Sequence, residues 1–92
     1  MKHIVLFKLV ERTCENQDKL SEILNSMKDK IDFVNDLQVH KDFLGSDRSY
    51  DVMLEVTLED HDLERYANDP YHVACKQRFA PMITNSITID YK

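Results

Sequence analysis

The sequence Tyr50-Asp51-Val52-Met53-Leu54-Glu55-Val56-Thr57-Leu58 places an apolar or aromatic residue at every second position. This period of two puts the five residues on one face of an extended chain, as in a β-strand that lies against a core. It is the cleanest alternation in the sequence and predicts a strand over 50–58.

The first strand is predicted over 3–9, where apolar residues occupy both faces of the extended chain. These residues are Val5, Phe7 and Leu9 on one face, and Ile4 and Leu6 on the other. A strand of this kind is covered on both sides in a folded protein. Weaker alternation predicts two more strands, one over 37–43 and a last one over 86–91.

A first helix is predicted over 15–31, because apolar residues recur there at steps of three and four. They are Leu20, Ile23, Leu24, Met27 and Ile31. Thr13 or Asn16 is a suitable N-cap. A second helical region follows Asp60 and is interrupted at Asp69-Pro70, which starts a new helix because aspartate suits the N-cap and proline the first helical position. Pro81 should end it.

The resulting order, β-α-β-β-α-β, predicts an α+β protein of the ferredoxin-like type, with a four-stranded antiparallel sheet and two helices on one face. The 92 residues form one domain, 1–92. Helices on one face leave Ile4 and Leu6 uncovered, and a homodimer whose sheets pack face to face would cover them.

Composition excludes several classes of function. The chain has one glycine, Gly45, so it lacks the glycine-rich loops that bind nucleotide phosphates. Its net charge of -5 argues against nucleic acid as a partner. Cys14 and Cys75 lack the spacing of a metal or redox pair and indicate reduced thiols in a cytoplasmic protein. No signal peptide, membrane segment, metal-binding motif or cofactor is predicted.

Four segments resemble the stress-responsive A/B barrel (Dabb) domain family. They are Lys2-His3-Ile4-Val5-Leu6-Phe7-Lys8, Tyr50-Asp51-Val52-Met53-Leu54-Glu55-Val56, Tyr66 with Asp69-Pro70-Tyr71-His72, and Ile89-Asp90-Tyr91. The resemblance extends over essentially the whole chain. It implies a dimeric α+β barrel, but no single activity.

One branch of this family is similar to the plant polyketide cyclase that makes olivetolic acid, an enzyme without a cofactor. That resemblance implies a catalytic pair, His72 and Tyr66, with His3 lining the pocket. It also implies that Val5, Phe7 and Leu54 form the apolar wall that binds the ligand. Two departures, Val52 and Asp69 in place of histidines of the cyclase, argue against the same substrate.

The residues themselves support a role for His72 in proton transfer. It is the third residue of the helix that Asp69 caps, where the positive end of the helix dipole disfavours an imidazolium ion. A neutral imidazole can act as a general base, and the Tyr66 phenol could donate a hydrogen bond to an oxyanion or orient the imidazole. The alternatives are structural: His72 filling the first helical turn, Tyr66 as a buried aromatic, and His3 as a hydrogen-bonded core residue.

Two classes of function therefore remain. The preferred one is a homodimeric protein whose pocket holds a small apolar or aromatic ligand without transforming it. The other is an enzyme without a cofactor, either a polyketide cyclase or isomerase that uses His72 and Tyr66, or a monooxygenase of the dimeric α+β barrel type.

Overall fold

The computed structural model describes residues 1–92 and contains four strands and four helices. The strands are β1 (Lys2–Leu9), β2 (Asp36–Lys41), β3 (Val52–Thr57) and β4 (Ile83–Tyr91). The helices are α1 (Cys14–Asn25), α2 (Met27–Lys30), α3 (Leu63–Ala67) and α4 (Pro70–Phe79). Short 3-10 turns lie at Asp60–Asp62, before α3, and at Ala80–Met82, after α4.

The strands form one antiparallel sheet in the order β2-β3-β1-β4. Val5 of β1 lies opposite Leu54 on one side and Thr88 on the other, which fixes the register of the two central pairings. The predicted α+β, ferredoxin-like architecture is therefore confirmed.

The core lies between one face of the sheet and the helices. The inward-facing residues of β1 are Val5, Phe7 and Leu9, and those of β3 are Val52, Leu54 and Val56. The helices contribute Leu20, Leu24, Met27, Tyr66, Cys75 and Phe79. This core matches the apolar stripes predicted for the strands and for the first helix.

The opposite face of the sheet has no helix over it. Ile4 pairs with Ile89 and Leu6 with Ile87, so these four apolar side chains share that face. Ile87 and Ile89 are 48% and 61% exposed. Tyr91 lies on the same face at the end of β4. We call this group, Ile4, Leu6, Ile87, Ile89 and Tyr91, the open-face patch.

The first helix is shorter than the periodicity predicts. It ends at Asn25, and Ser26 separates it from the short α2, which ends before Ile31. The Ser26 hydroxyl donates to the carbonyl of Ile23 at 2.6 Å and accepts from the Tyr71 hydroxyl at 2.8 Å. Serine bonded to its own backbone in this way competes with regular helix, which explains the break.

The second strand is also shorter than predicted. It ends at Lys41, because the carboxylate of Asp42 accepts a hydrogen bond from the Gly45 amide at 2.7 Å and closes a turn. Gly45 has a φ of 67°, which favours glycine. Phe43, predicted inside the strand, is 97% exposed in this turn.

The second helical region is divided where Asp69-Pro70 predicts. Asp69 accepts from the amides of Tyr71 and His72 at 2.9 and 3.2 Å, and Pro70 is the first residue of α4. The helix ends at Phe79, two residues before Pro81. No helix combines the length and the apolar character that crossing a membrane would need.

Candidate functional site

A cavity of about 280 Å³ lies between the sheet and the helices α3 and α4. Its size is close to the lower end of the roughly 300–1,000 Å³ found for small-molecule pockets. Eight of its thirteen lining residues are hydrophobic. The lining residues are His3, Val5, Phe7, Leu24, Leu54, Leu63, Tyr66, Ala67, His72, Lys76, Phe79, Ser86 and Thr88.

All six residues predicted for the site line this one cavity. His3, Tyr66 and His72 are neighbours within it, and Val5, Phe7 and Leu54 form part of its apolar wall. The sheet supplies His3 and the apolar wall, whereas the two helices supply Tyr66 and His72. Residues from distant parts of the sequence therefore meet at one place.

His72 is held in a single orientation at the start of α4. Its Nδ1 lies 2.9 Å from the main-chain carbonyl oxygen of Tyr66. A carbonyl oxygen only accepts, so Nδ1 carries the proton, and in the neutral imidazole Nε2 keeps its lone pair. Nε2 has no hydrogen-bond partner within the protein and is not sealed from solvent. His72 thus presents one free, unprotonated ring nitrogen.

Tyr66 lies between the two histidines. Its ring stacks on that of His72, with centroids 4.2 Å apart and planes at 22°, and meets His3 edge-on at 5.7 Å. The Tyr66 hydroxyl is buried and has no hydrogen-bond partner. The hydrogen bond from Tyr66 to the imidazole is made by its main-chain carbonyl and not by its phenolic hydroxyl. The hydroxyl itself makes no hydrogen bond within the protein.

His3 is held by a residue near the other end of the chain. Its Nδ1 lies 2.5 Å from Oδ1 of Asp90, and the two residues face each other across the β1–β4 pairing. The carboxylate fixes the proton on Nδ1 and leaves Nε2 as the second ring nitrogen. Asp90 is therefore the residue that fixes the ring of His3.

Burial sets the proton affinities at the site. It lowers the pKa of His72 below its ordinary value of 6.5, and the positive charge of Lys76 adds to this, while the hydrogen bond to Tyr66 opposes it. Burial also raises the pKa of Tyr66, so the phenol stays protonated. At neutral pH the cavity offers a neutral base and a neutral hydrogen-bond donor. The helix dipole was the predicted reason for a neutral His72, but burial is the largest cause of its lowered pKa.

Three polar residues of the cavity were not predicted. Lys76 follows His72 by one helical turn on α4, and Ser86 and Thr88 flank the cavity on β4. Thr88 lies opposite Val5 and Ser86 opposite Phe7, so both hydroxyl residues lie on the helix-facing side of the sheet. Residues four positions apart lie on the same side of a helix, so the step from His72 to Lys76 could have predicted Lys76 as a cavity residue.

A second depression, of about 560 Å³, lies between the start of α1 and the turn after β2. Only two of its ten lining residues are hydrophobic. Its main charged groups already bind each other: Arg12 Nε donates to both carboxylate oxygens of Asp51, at 3.0 and 3.3 Å. This depression lacks the apolar wall of a small-molecule pocket.

Solved structures with the same fold come from several organisms. A dimeric protein of unknown function from Bacteroides fragilis is 25% identical, covers 99% of this chain and 93% of its own, and has a TM-score of 0.81. A Dabb family protein from Mesorhizobium loti is 19% identical, with the same coverages and TM-score. A hydroxynitrile lyase from Passiflora edulis is 16% identical, covers 98% and 89%, and has a TM-score of 0.78.

The sequence itself identifies the family. No curated protein sequence gives a significant match. The profile of the stress-responsive A/B barrel domain, Dabb, matches residues 1–92, the full length of the sequence. The chain therefore belongs to the stress-responsive A/B barrel domain family.

Proposed function

We propose that this protein is a homodimer that binds a small, mostly apolar organic molecule in the cavity between sheet and helices. The observation that carries this proposal is the buried hydroxyl of Tyr66, which lacks a hydrogen-bond partner although Tyr66 lines a mostly hydrophobic cavity. A buried polar group without a partner is costly, and a ligand whose binding shifts the Tyr66 ring toward the cavity would satisfy the hydroxyl with one of its oxygen atoms.

The homodimer is supported by the open-face patch. Its exposed isoleucines would be buried if two sheets packed against each other, as symmetric dimers commonly arrange identical surfaces. The related protein from Bacteroides fragilis is dimeric. The cavity lies on the opposite, helix-covered side of the sheet, so such a dimer would not need to displace its ligand.

A crystal soaked with small aromatic molecules or a polyketide mimic tests the binding site. We expect the ligand between Tyr66, His72 and the apolar wall of Val5, Phe7 and Leu54. A ligand found only at other surfaces, or no binding to the cavity in solution, would contradict the proposal.

A second candidate function, catalysis of proton transfer, is favoured by the orientation of His72. Its free Nε2 could take a proton from a carbon next to a carbonyl, while the electron pair moves to the carbonyl oxygen and Tyr66 donates a hydrogen bond to that oxygen. The resulting enolate could attack a second carbonyl, as in an aldol closure, or be reprotonated, as in an isomerisation. A hydroxynitrile lyase among the structural neighbours indicates that this fold can carry catalysis.

Comparison of His72→Ala with His61→Ala tests this second function. Removal of a general base commonly lowers the rate by about 10²- to 10⁴-fold, so His72→Ala should lose most turnover and keep ligand affinity. His61 has a side chain 82% exposed and serves as the control. Equal turnover in the two variants, or a ligand more than about 6 Å from His72, would exclude His72 as the base, since a base must reach its proton directly or through one water.

A further inference from the structure

The side chains that line the cavity include a permanent positive charge and no carboxylate. The chain carries seventeen acidic residues and a net charge of -5, yet no aspartate or glutamate is among the thirteen lining residues. Asp90 and Asp69, which adjoin the cavity, are both engaged: Asp90 binds His3, and Asp69 caps α4. The one permanently charged side chain of the wall is Lys76.

Lys76 has no counter-ion of its own. The other lysines that form ion pairs bind carboxylates elsewhere, for example Lys41 with Asp18 at 2.6 Å and Lys28 with Asp36 at 3.6 Å. No ion pair involves Lys76, which is exposed on α4 one turn after His72. Its ammonium group is therefore available to a ligand at the rim of the cavity.

Two hydroxyl groups also belong to the polar part of this cavity. Ser86 and Thr88, both exposed on β4, face the same side of the sheet as Val5 and Phe7. Hydroxyls donate hydrogen bonds to an anion as readily as to a neutral oxygen. The interior, by contrast, is apolar at Leu24, Leu54 and Phe79.

We propose that the ligand of this cavity is an amphiphilic organic anion, with its carboxylate at Lys76, Ser86 and Thr88 and its apolar body between the sheet and the helices. This inference rests on the proposed function, because it names the class of molecule that the same cavity takes. An isolated surface lysine gives little selectivity in water, but a lysine beside an apolar cavity acts on a charge that is partly removed from water.

Matched pairs of probes test the charge preference. The series runs from 4-methylbenzoate to 4-butylbenzoate, each compared with its amide, which has nearly the same shape and no charge. Binding to the full chain is measured by calorimetry and mapped by NMR. We expect the best-fitting benzoate to bind about three- to tenfold more tightly than its amide, and added salt to weaken only the benzoate.

Three variants test whether Lys76 causes the preference for the charged probe. Lys76→Gln should remove the advantage of the benzoate and leave amide binding unchanged, whereas Lys76→Arg should keep it. Lys30→Gln removes the same charge from an exposed lysine outside the cavity wall, and this variant should still bind the benzoate more tightly than the amide.

The outcomes separate the inference from the function on which it rests. Equal binding of benzoate and amide, or a preference that survives in Lys76→Gln, overturns the inference and leaves a cavity for neutral ligands. Equal loss of both probes in Lys76→Gln also overturns it, because it indicates lost packing rather than lost charge. Failure of every probe to bind in the cavity contradicts the proposed function itself.

Discussion

The imidazole of His72 stacks on the phenol ring of Tyr66 at 4.2 Å and is hydrogen-bonded to the main-chain carbonyl oxygen of the same residue. One residue thus fixes both the plane of the ring and the position of its proton. The arrangement depends on the break between α3 and α4, which lets residues six positions apart face each other. Both side chains line the cavity.

The stability of the protein should depend on the protonation of His72. Because burial lowers its pKa, the unfolded chain binds more protons at this residue than the folded chain as the pH falls below the ordinary value of 6.5. The stability that neutral His72 contributes is fully present above pH 6.5. It is lost as the pH falls through the lowered pKa that His72 has in the folded protein. NMR titration should place the His72 pKa below 6.5.

Denaturation of wild type and His72→Gln at pH 7.5 and pH 5 gives the matching thermodynamic test. The wild type should lose more stability than the variant on acidification, since the variant lacks the titrating group. A His72 pKa at or above 6.5, or identical losses in the two proteins, would contradict the assignment.

Tyr66→Phe should leave the protein as stable as the wild type, or raise the free energy of unfolding by about 1 kcal/mol, because it removes a buried hydroxyl without a partner. Tyr71→Phe is the matched control. It removes a hydroxyl that donates to Ser26 at 2.8 Å and should cost about 0.5–1.5 kcal/mol. Urea denaturation measures both. A larger loss of stability in Tyr66→Phe than in Tyr71→Phe would mean that the Tyr66 hydroxyl has a hydrogen-bond partner in solution.

The sequence predicts local features of this site better than its long-range contacts. The capped start of α4 followed from Asp69-Pro70, because an N-cap and a first-turn proline act within a few residues. The contact of His3 with Asp90 could not be predicted in this way, although both residues lie in segments that resemble the family. It requires the register of β1 on β4, which is set by packing over 87 residues of separation.

The break in the first helix was missed for a related reason. Ser26 lies in a helical pattern, and its effect depends on hydrogen bonds to Ile23 and Tyr71 that periodicity does not encode. The buried Asp51 likewise falls on a polar position of the β3 pattern. It is 3% exposed because its partners, Leu9 and Arg12, come from the distant end of β1 and the loop after it.

Asp51→Asn should destabilise the protein by about 1.5–3 kcal/mol, the usual range for hydrogen bonds to a charged group. The carboxylate accepts from the Leu9 amide at 2.8 Å and from Arg12 at 3.0 Å, and an asparagine can present only one oxygen to these two donors. Asp47→Asn changes the same charge at an exposed position of the neighbouring loop and should cost almost nothing. Similar denaturation midpoints for the two variants would show that the hydrogen bonds of Asp51 do not stabilise the contact between β1 and this loop.

Ile4→Asp and Leu6→Asp should convert the proposed dimer into monomers. Both residues lie in the open-face patch, on the central strand β1, where no helix covers them. Each aliphatic side chain buried at an interface contributes roughly 1.5–3 kcal/mol, and a carboxylate there would also have to lose its water. Val10→Asp is the control, because Val10 is 61% exposed but follows the end of β1. Sedimentation at micromolar concentration should give a dimer for the wild type and the control, and a folded monomer for the two patch variants. A wild-type chain that sediments as a monomer would refute the dimer, and patch variants that remain dimeric would place the interface on another surface.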